Sequence, residues 1–204
     1  MLVQRYRKPL KVGLISLVLL AIVIAIGSIY EYTRKHLVDV TIQGVNYQLG
    51  AQNSDNVNTE IVTIKGEWSR SWKGLRTFKG TIDFANRTIP VPEESREVTV
   101  RFDRNGYGAI TYNYLELVNE RDVKPRGYSD GAFFASSDFN SVSFLLHTEV
   151  NSEEGLRSSY WDGGEGLMFA GPATTREQAL TISNELMEQY LTNPEFLNGR
   201  FFLK

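Results

Sequence analysis

The chain has no cysteine among its 204 residues. That excludes disulfides, thiolate metal sites, cysteine nucleophiles and a lipidated cysteine anchor together. Histidine is nearly as scarce, with only His36 and His147. A His-based zinc site needs three or four ligands close in space, and neither an HxxxH nor an HxxEH spacing occurs. The G-x-S-x-G elbow that presents a serine nucleophile is also missing, so a triad assembled by the fold would have to use His147. The glycine-rich run from Trp161 to Gly166 lacks the lysine of a phosphate loop, and no helix follows it at once, so it reads as a turn. Glu153, Glu154, Asp162 and Glu165 lack the D-x-D-x-D-G spacing of a calcium loop and read as solvated loop charges. Many acids are present, yet no two single themselves out as a glycosidase pair. These absences lead to no expected metal, cofactor or catalytic residue.

Composition supplies the rest of the frame. Hydrophobic residues make up 42% and charged residues 23%, the balance of a folded chain and not of a disordered one. A domain of roughly 165 residues buries about two-thirds of its unfolded surface, so it needs no covalent staples. A cysteine-free domain of this size outside the cytoplasm is more typical of bacteria than of eukaryotic secretion. The N-x-T match at Asn86-Arg87-Thr88 reads equally as chance or as a glycan site. The formal net charge of −2 conceals an asymmetry: Arg5, Arg7, Lys8 and Lys11 precede everything else, and the remainder carries about −6. A mildly acidic domain is unsuited to non-specific nucleic-acid binding.

From Val12 to Tyr30 run nineteen residues without a charge. At 1.5 Å per residue such a helix covers about 28 Å, close to the roughly 30 Å hydrocarbon core of a bilayer. All backbone polar groups are then satisfied within the segment, as lipid requires. Residues 1–11 form a short basic segment, and the far flank begins at Glu31. The positive-inside rule therefore predicts an inner N-terminus and an outer domain, with Tyr30 and Tyr32 at the outer aromatic belt and Tyr6 at the inner one. The apolar run is longer than the core of a cleaved signal peptide. Its only small-x-small match, Ala25-Ile26-Gly27, lies inside the run without a polar lead-in, so an uncleaved single-pass signal-anchor in the cell membrane is expected. The layout is similar to that of small bitopic proteins of Gram-positive envelopes. It resembles pilin-type chains only loosely, since no Gly-Phe processing site or early glutamate occurs.

After a short tether, residues 31–36, the pattern changes to alternation. Val38, Val40 and Ile42 share one face, and Val45, Tyr47 and Leu49 repeat the period beyond Gly44. Residues 53–58 read as a polar loop. IVTIKGEW, TFKGTIDF and REVTVRF read as strands. RFDRNGYGAITYNY reads as a hairpin, with Asn105-Gly106 supplying the positive φ angles of a primed turn. Lys124-Pro125-Arg126-Gly127 reads as a loop, and FNSVSFLLHTEV as a long strand with Val142, Phe144 and Leu146 on one face. SSYWDGGEGLMFAG reads as a hairpin turning at Gly163-Gly164. Thr174 with Glu177 forms a capping-box pattern ahead of an amphipathic helix over 175–191, which Asn193-Pro194 stops. The final RFFLK fits an edge strand or a core cover equally. The expected fold for residues 37–204 is α+β: a mostly antiparallel sheet carrying one C-terminal helix.

One stretch stands out. Lys65 to Lys79 sets five basic residues against one acid, interleaved with Trp68, Trp72 and Phe78, in an otherwise acidic domain. Exposed aromatics with cations stack on sugars or bind anionic polymers and headgroups. The alternative is two tryptophans in the core and cations covering the outer face. Trp68, Arg70, Trp72, Lys73, Arg76 and Lys79 are the candidate interaction surface. Together these features predict a non-catalytic binding or accessory domain of the cell envelope. Its partners would be membrane lipid through Val12–Tyr30 and an envelope polymer or membrane protein. The alternatives are an extracytoplasmic hydrolase using carboxylates or His147, and a sensor acting through a partner transmembrane helix.

Overall fold

The computed structural model describes residues 7–119, 122–151, 157–193 and 201–204. The expectations for Arg5, Tyr6, Glu153, Glu154, Pro194 and Arg200 lie outside these. The apolar run forms helix α1, Arg7–Thr33, and its stretch Ile15–Thr33 is long and apolar enough to cross a membrane. Side chains from Ile15 to Tyr32 are exposed all round, so α1 takes no part in the core of the domain.

Among the described residues ten strands follow: β1 (His36–Gln48), β2 (Val57–Arg70), β3 (Arg76–Phe84), β4 (Val98–Arg101), β5 (Gly108–Asn119), β6 (Asp122–Ala135), β7 (Val142–Leu146), β8 (Thr148–Asn151), β9 (Arg157–Tyr160) and β10 (Leu167–Gly171). Eight make one antiparallel sheet in the order β4-β3-β2-β1-β10-β7-β6-β5, while β8 and β9 pair apart from it. The sheet curls until its two edges meet at the bridge between Phe102 and Gly108, which makes it nearly a barrel. With eight strands, the interior is just wide enough to be filled by side chains. Phe78, Phe102, Phe133, Phe139, Phe144 and Phe169 fill it with Val62, Ile64, Val100 and Ile110. Each such residue contributes about 1.5–3 kcal/mol by leaving water.

The alternation in β1 serves two cores. Val38 and Ile42 face the barrel interior, whereas Val45, Tyr47 and Leu49 face outward beneath helix α2, Arg176–Leu186. Gly44 marks the crossover: a Cβ there would stand 2.3 Å from the Ala170 carbonyl oxygen and 2.6 Å from the Phe169 ring. Helix α2 packs on β1, β7 and β10, and a last turn, α3 (Glu188–Leu191), follows Met187. Under the helix Tyr47 Oη donates to Ser183 Oγ at 2.7 Å, and Ser183 Oγ lies 2.8 Å from Ser143 Oγ. Residues 201–204 of the C-terminal segment cover this second core: Leu203 is buried, its N–H bonds Asn184 Oδ1 at 2.9 Å, and Gly50 N–H bonds the Lys204 carbonyl at 2.9 Å.

Several local expectations change. The cap of α2 is Thr175, one residue later than expected: its hydroxyl accepts from Gln178 N–H, while the Gln178 carboxamide oxygen accepts from Thr174. The turn before β5 is wider than a two-residue primed turn. Asp103 Oδ1 accepts the N–H groups of Asn105 and Tyr107, and only Gly106 takes a positive φ. Pro125 lies within β6 and not in a loop; there β6 pairs with β5 alone, since its ladder with β7 covers only Gly131–Ala135, and a proline is tolerated on such an edge. The long strand expected at 139–150 breaks at His147. Trp161 to Gly166 redirects the chain instead of closing a hairpin, because Asp162 accepts three successive N–H groups from Gly164, Glu165 and Gly166. Strand β9 therefore pairs with β8, and β10 enters the main sheet between β1 and β7.

Candidate functional site

At the end of the barrel nearest α1 converge the start of β1, the β2–β3 hairpin and the β4–β5 turn. Only Arg34 and Lys35 separate α1 from β1, and Lys35 Nζ pairs with Glu67 Oε1 at 2.5 Å. The hairpin closes through Ser71, whose carbonyl accepts Gly74 N–H at 2.9 Å. Gly74 takes φ +83°, and a Cβ there would lie 3.2 Å from Tyr32 Oη, so the tip rests against the last turn of α1.

The hairpin divides the six candidate residues: Trp68 and Arg70 end β2, Trp72 and Lys73 form the tip, and Arg76 and Lys79 lie on β3. Trp68 faces inward, packs on the core and stacks on His36 with ring centroids 4.6 Å apart. The Arg70 guanidinium lies 5.1 Å from the Trp68 ring and 5.8 Å from the Tyr32 ring, bridging the domain and the helix. Arg76 is committed to structure: its two terminal nitrogens donate to the Ala135 and Ser136 carbonyls at 2.7 and 2.9 Å, over the Phe102 ring. Burial, then Arg70, holds its pKa below the usual guanidinium value. Trp72, at the hairpin tip, is 78% exposed with Lys73 Nζ 5.1 Å from its ring. Lys79 is not gathered in; it sits farther along β3, paired with Glu97 Oε2 at 3.0 Å. Trp68 thus packs on the core while Trp72 stands exposed.

Between α1 and the hairpin lies an open cleft of about 470 Å³. Arg70, Lys73, Arg76 and Arg104 line it against one carboxylate, Asp103, whose Oδ1 is already engaged by two backbone N–H groups. The sequence offered no sign of Arg104 or Asp103, which reach this site only because the sheet curls. Among the described residues, the lining carries no histidine, serine or threonine. Such a cleft can hold an anion by charge and hydrogen bonds.

The opposite end has a second cleft, of about 490 Å³, which motif reading missed. The β3–β4 connection, residues 85–97, folds across it and buries Ile89 and Val91. Glu60, only 2% exposed, ties this segment down by accepting from Ile61 N–H, Asn86 N–H and Asn86 Nδ2. Arg87 reaches inward to Asp130, which occupies a bulge where Ile110 and Thr111 oppose Gly131 and Ser129. The extra residue shifts the alternation, so both Phe133 and Tyr128 face the core. Tyr128 Oη donates to Asp130 Oδ1 at 3.3 Å, and Ser129 Oγ approaches His147 Nδ1 at 3.4 Å. Burial raises the Asp130 pKa despite Arg87, and burial lowers that of His147 despite Asp130. Among the described residues, no three His, Asp or Glu side chains gather as metal ligands.

Comparison with family models, curated proteins and solved structures finds no match.

Proposed function

We propose that this chain is a membrane-anchored, non-catalytic binding or accessory domain of the cell envelope, held outside the cytoplasmic membrane by α1. The observation that carries this reading is the position of the basic-aromatic cleft. Tyr32, in the last turn of the apolar helix, forms one wall of it, and two residues separate that helix from β1. A domain so tethered works within reach of the membrane surface. The four basic residues before the span favour an inner N-terminus. The filled barrel interior leaves the ends of the barrel as the places where a ligand can be met.

The absence of cysteine makes the test clean. In intact cells, Ser54→Cys or Ser95→Cys should react with a membrane-impermeant maleimide, and Gln4→Cys only after permeabilisation. The reverse pattern, or loss of the N-terminal residues from the mature protein, would overturn the reading.

A second reading, an extracytoplasmic hydrolase, rests on the approach of Ser129 to His147 beside Asp130. An ester- or peptide-cleaving rate abolished equally by Ser129→Ala and His147→Gln would displace the first.

A further inference from the structure

We propose that the cleft between Tyr32 and the β2–β3 hairpin binds the phosphate of an anionic lipid headgroup in the leaflet where α1 emerges. This deepens the reading above and rests on α1 spanning the bilayer.

Height decides the source of the phosphate. The polar headgroup layer is roughly 5–8 Å thick on each side of the hydrocarbon core. Tyr32 stands two residues beyond Tyr30, the end of the apolar run, which is about 3 Å along the helix axis. A cleft that uses Tyr32 as a wall therefore opens at headgroup level, where lipid phosphates are concentrated. A free phosphate or a wall polymer has no such enforced proximity.

Charge and shape agree with this placement. Arg70, Lys73 and Arg104 line the cleft around Arg76, and the one carboxylate is turned to backbone N–H groups. At the rim, Trp72 and the partly exposed Leu75 project from the hairpin tip. Tryptophan favours the membrane–water interface, where its ring meets acyl carbon and its N–H meets water. Arg70 lies within cation–π reach of both Trp68 and Tyr32, and Gly74 lies against Tyr32 Oη, so the tip faces the same leaflet that α1 leaves. The domain thereby docks on the membrane and does not swing on its tether.

The test uses the full chain in lipid nanodiscs of phosphatidylcholine, alone or with phosphatidylglycerol as a minor component. Bromine-labelled versions of each lipid serve as quenchers of tryptophan fluorescence, and Trp72→Phe assigns the Trp72 signal. At equal mole fraction, labelled phosphatidylglycerol should quench Trp72 more strongly than labelled phosphatidylcholine. Arg70→Gln with Lys73→Gln should lower the local enrichment about twenty-five-fold, at roughly fivefold per cation. Lys79→Gln, outside the cleft, should leave it unchanged. Equal quenching by both lipids in a chain that inserts would overturn the headgroup proposal and leave the anchor intact. Failure to float with neutral vesicles in high salt would overturn the anchor itself. Loss of the phosphatidylglycerol preference on adding inorganic phosphate would assign the cleft to a soluble anion and overturn the lipid assignment.

Discussion

Arg87 crosses the upper mouth of the barrel to place Nη2 2.6 Å from Asp130 Oδ1, although the two residues stand on separate elements. Their side chains are 19% and 3% exposed, and Arg87 Nη1 is buried without a hydrogen-bond partner. The raised pKa of Asp130 says that burial costs the carboxylate more than Arg87 returns. A pair of this kind is weak evidence for stability and strong evidence that each partner needs the other.

Asp130→Leu alone should therefore destabilise the fold by about 3–5 kcal/mol, because it strands a buried guanidinium. Arg87→Met combined with Asp130→Leu should recover most of that loss or exceed the starting stability. Thermal unfolding of the detergent-solubilised chain measures both, and additive losses in the double variant would contradict the account.

His147 gives a pH signature of definite sign. Burial is the first cause that lowers its pKa below 6.5, and Asp130 only partly opposes this. The fold thus prefers the neutral ring, so the stability His147 lends is present above its ordinary pKa and lost as pH falls through the lowered value. Asp130 acts oppositely, since its raised pKa makes protonation favour the fold. The Arg87 guanidinium also disfavours the imidazolium. The comparison with His147→Gln isolates the histidine. The unfolding midpoint of the native chain should fall more steeply than that of the variant between about pH 7 and pH 5.

Most of the main sheet's strand content was legible because apolar residues recur at period two where the strands line the barrel. Val142, Phe144 and Leu146 recur at period two, and all three point into the barrel. Closure was not legible, since period two says which face is buried and not which edge meets which. The pairing of Val45 with Ala170 and the bridge from Phe102 to Gly108 are long-range choices. The same limit hid the distal cleft. Arg87 looked like one residue of an N-x-T match, and its partner Asp130 becomes special only through a bulge in β6. In the basic stretch, composition grouped six residues that the β2–β3 hairpin then separated between strand faces and an exposed tip.

Gly44 tests the contact that lets β10 close against β1. Gly44→Ala places a methyl 2.3 Å from the Ala170 carbonyl oxygen, where backbone must give way. Overpacking of this kind costs about 1–3 kcal/mol. The unfolding midpoint should drop accordingly. Gly27→Ala, with nothing within 4 Å of the new Cβ, should leave it unchanged.

Arg76 and Trp72 lie four residues apart in the same basic stretch, yet their substitution should have opposite consequences. Arg76 joins β3 to the end of β6 through two carbonyls and lies 4.8 Å from the Phe102 ring centroid. Arg76→Ala removes both charge-assisted bonds and leaves their carbonyls half-buried, for a loss of about 1.5–3 kcal/mol. Arg76→Lys should not rescue it, because a single ammonium cannot reproduce the planar fork that reaches both oxygens. Trp72 touches little besides Lys73, so Trp72→Ala should change stability by less than about 0.5 kcal/mol. Unfolding curves of the three variants check this directly. A binding defect in the Arg76 variants alone would then report a damaged barrel end, whereas one in Trp72→Ala at full stability would report a lost contact with the ligand.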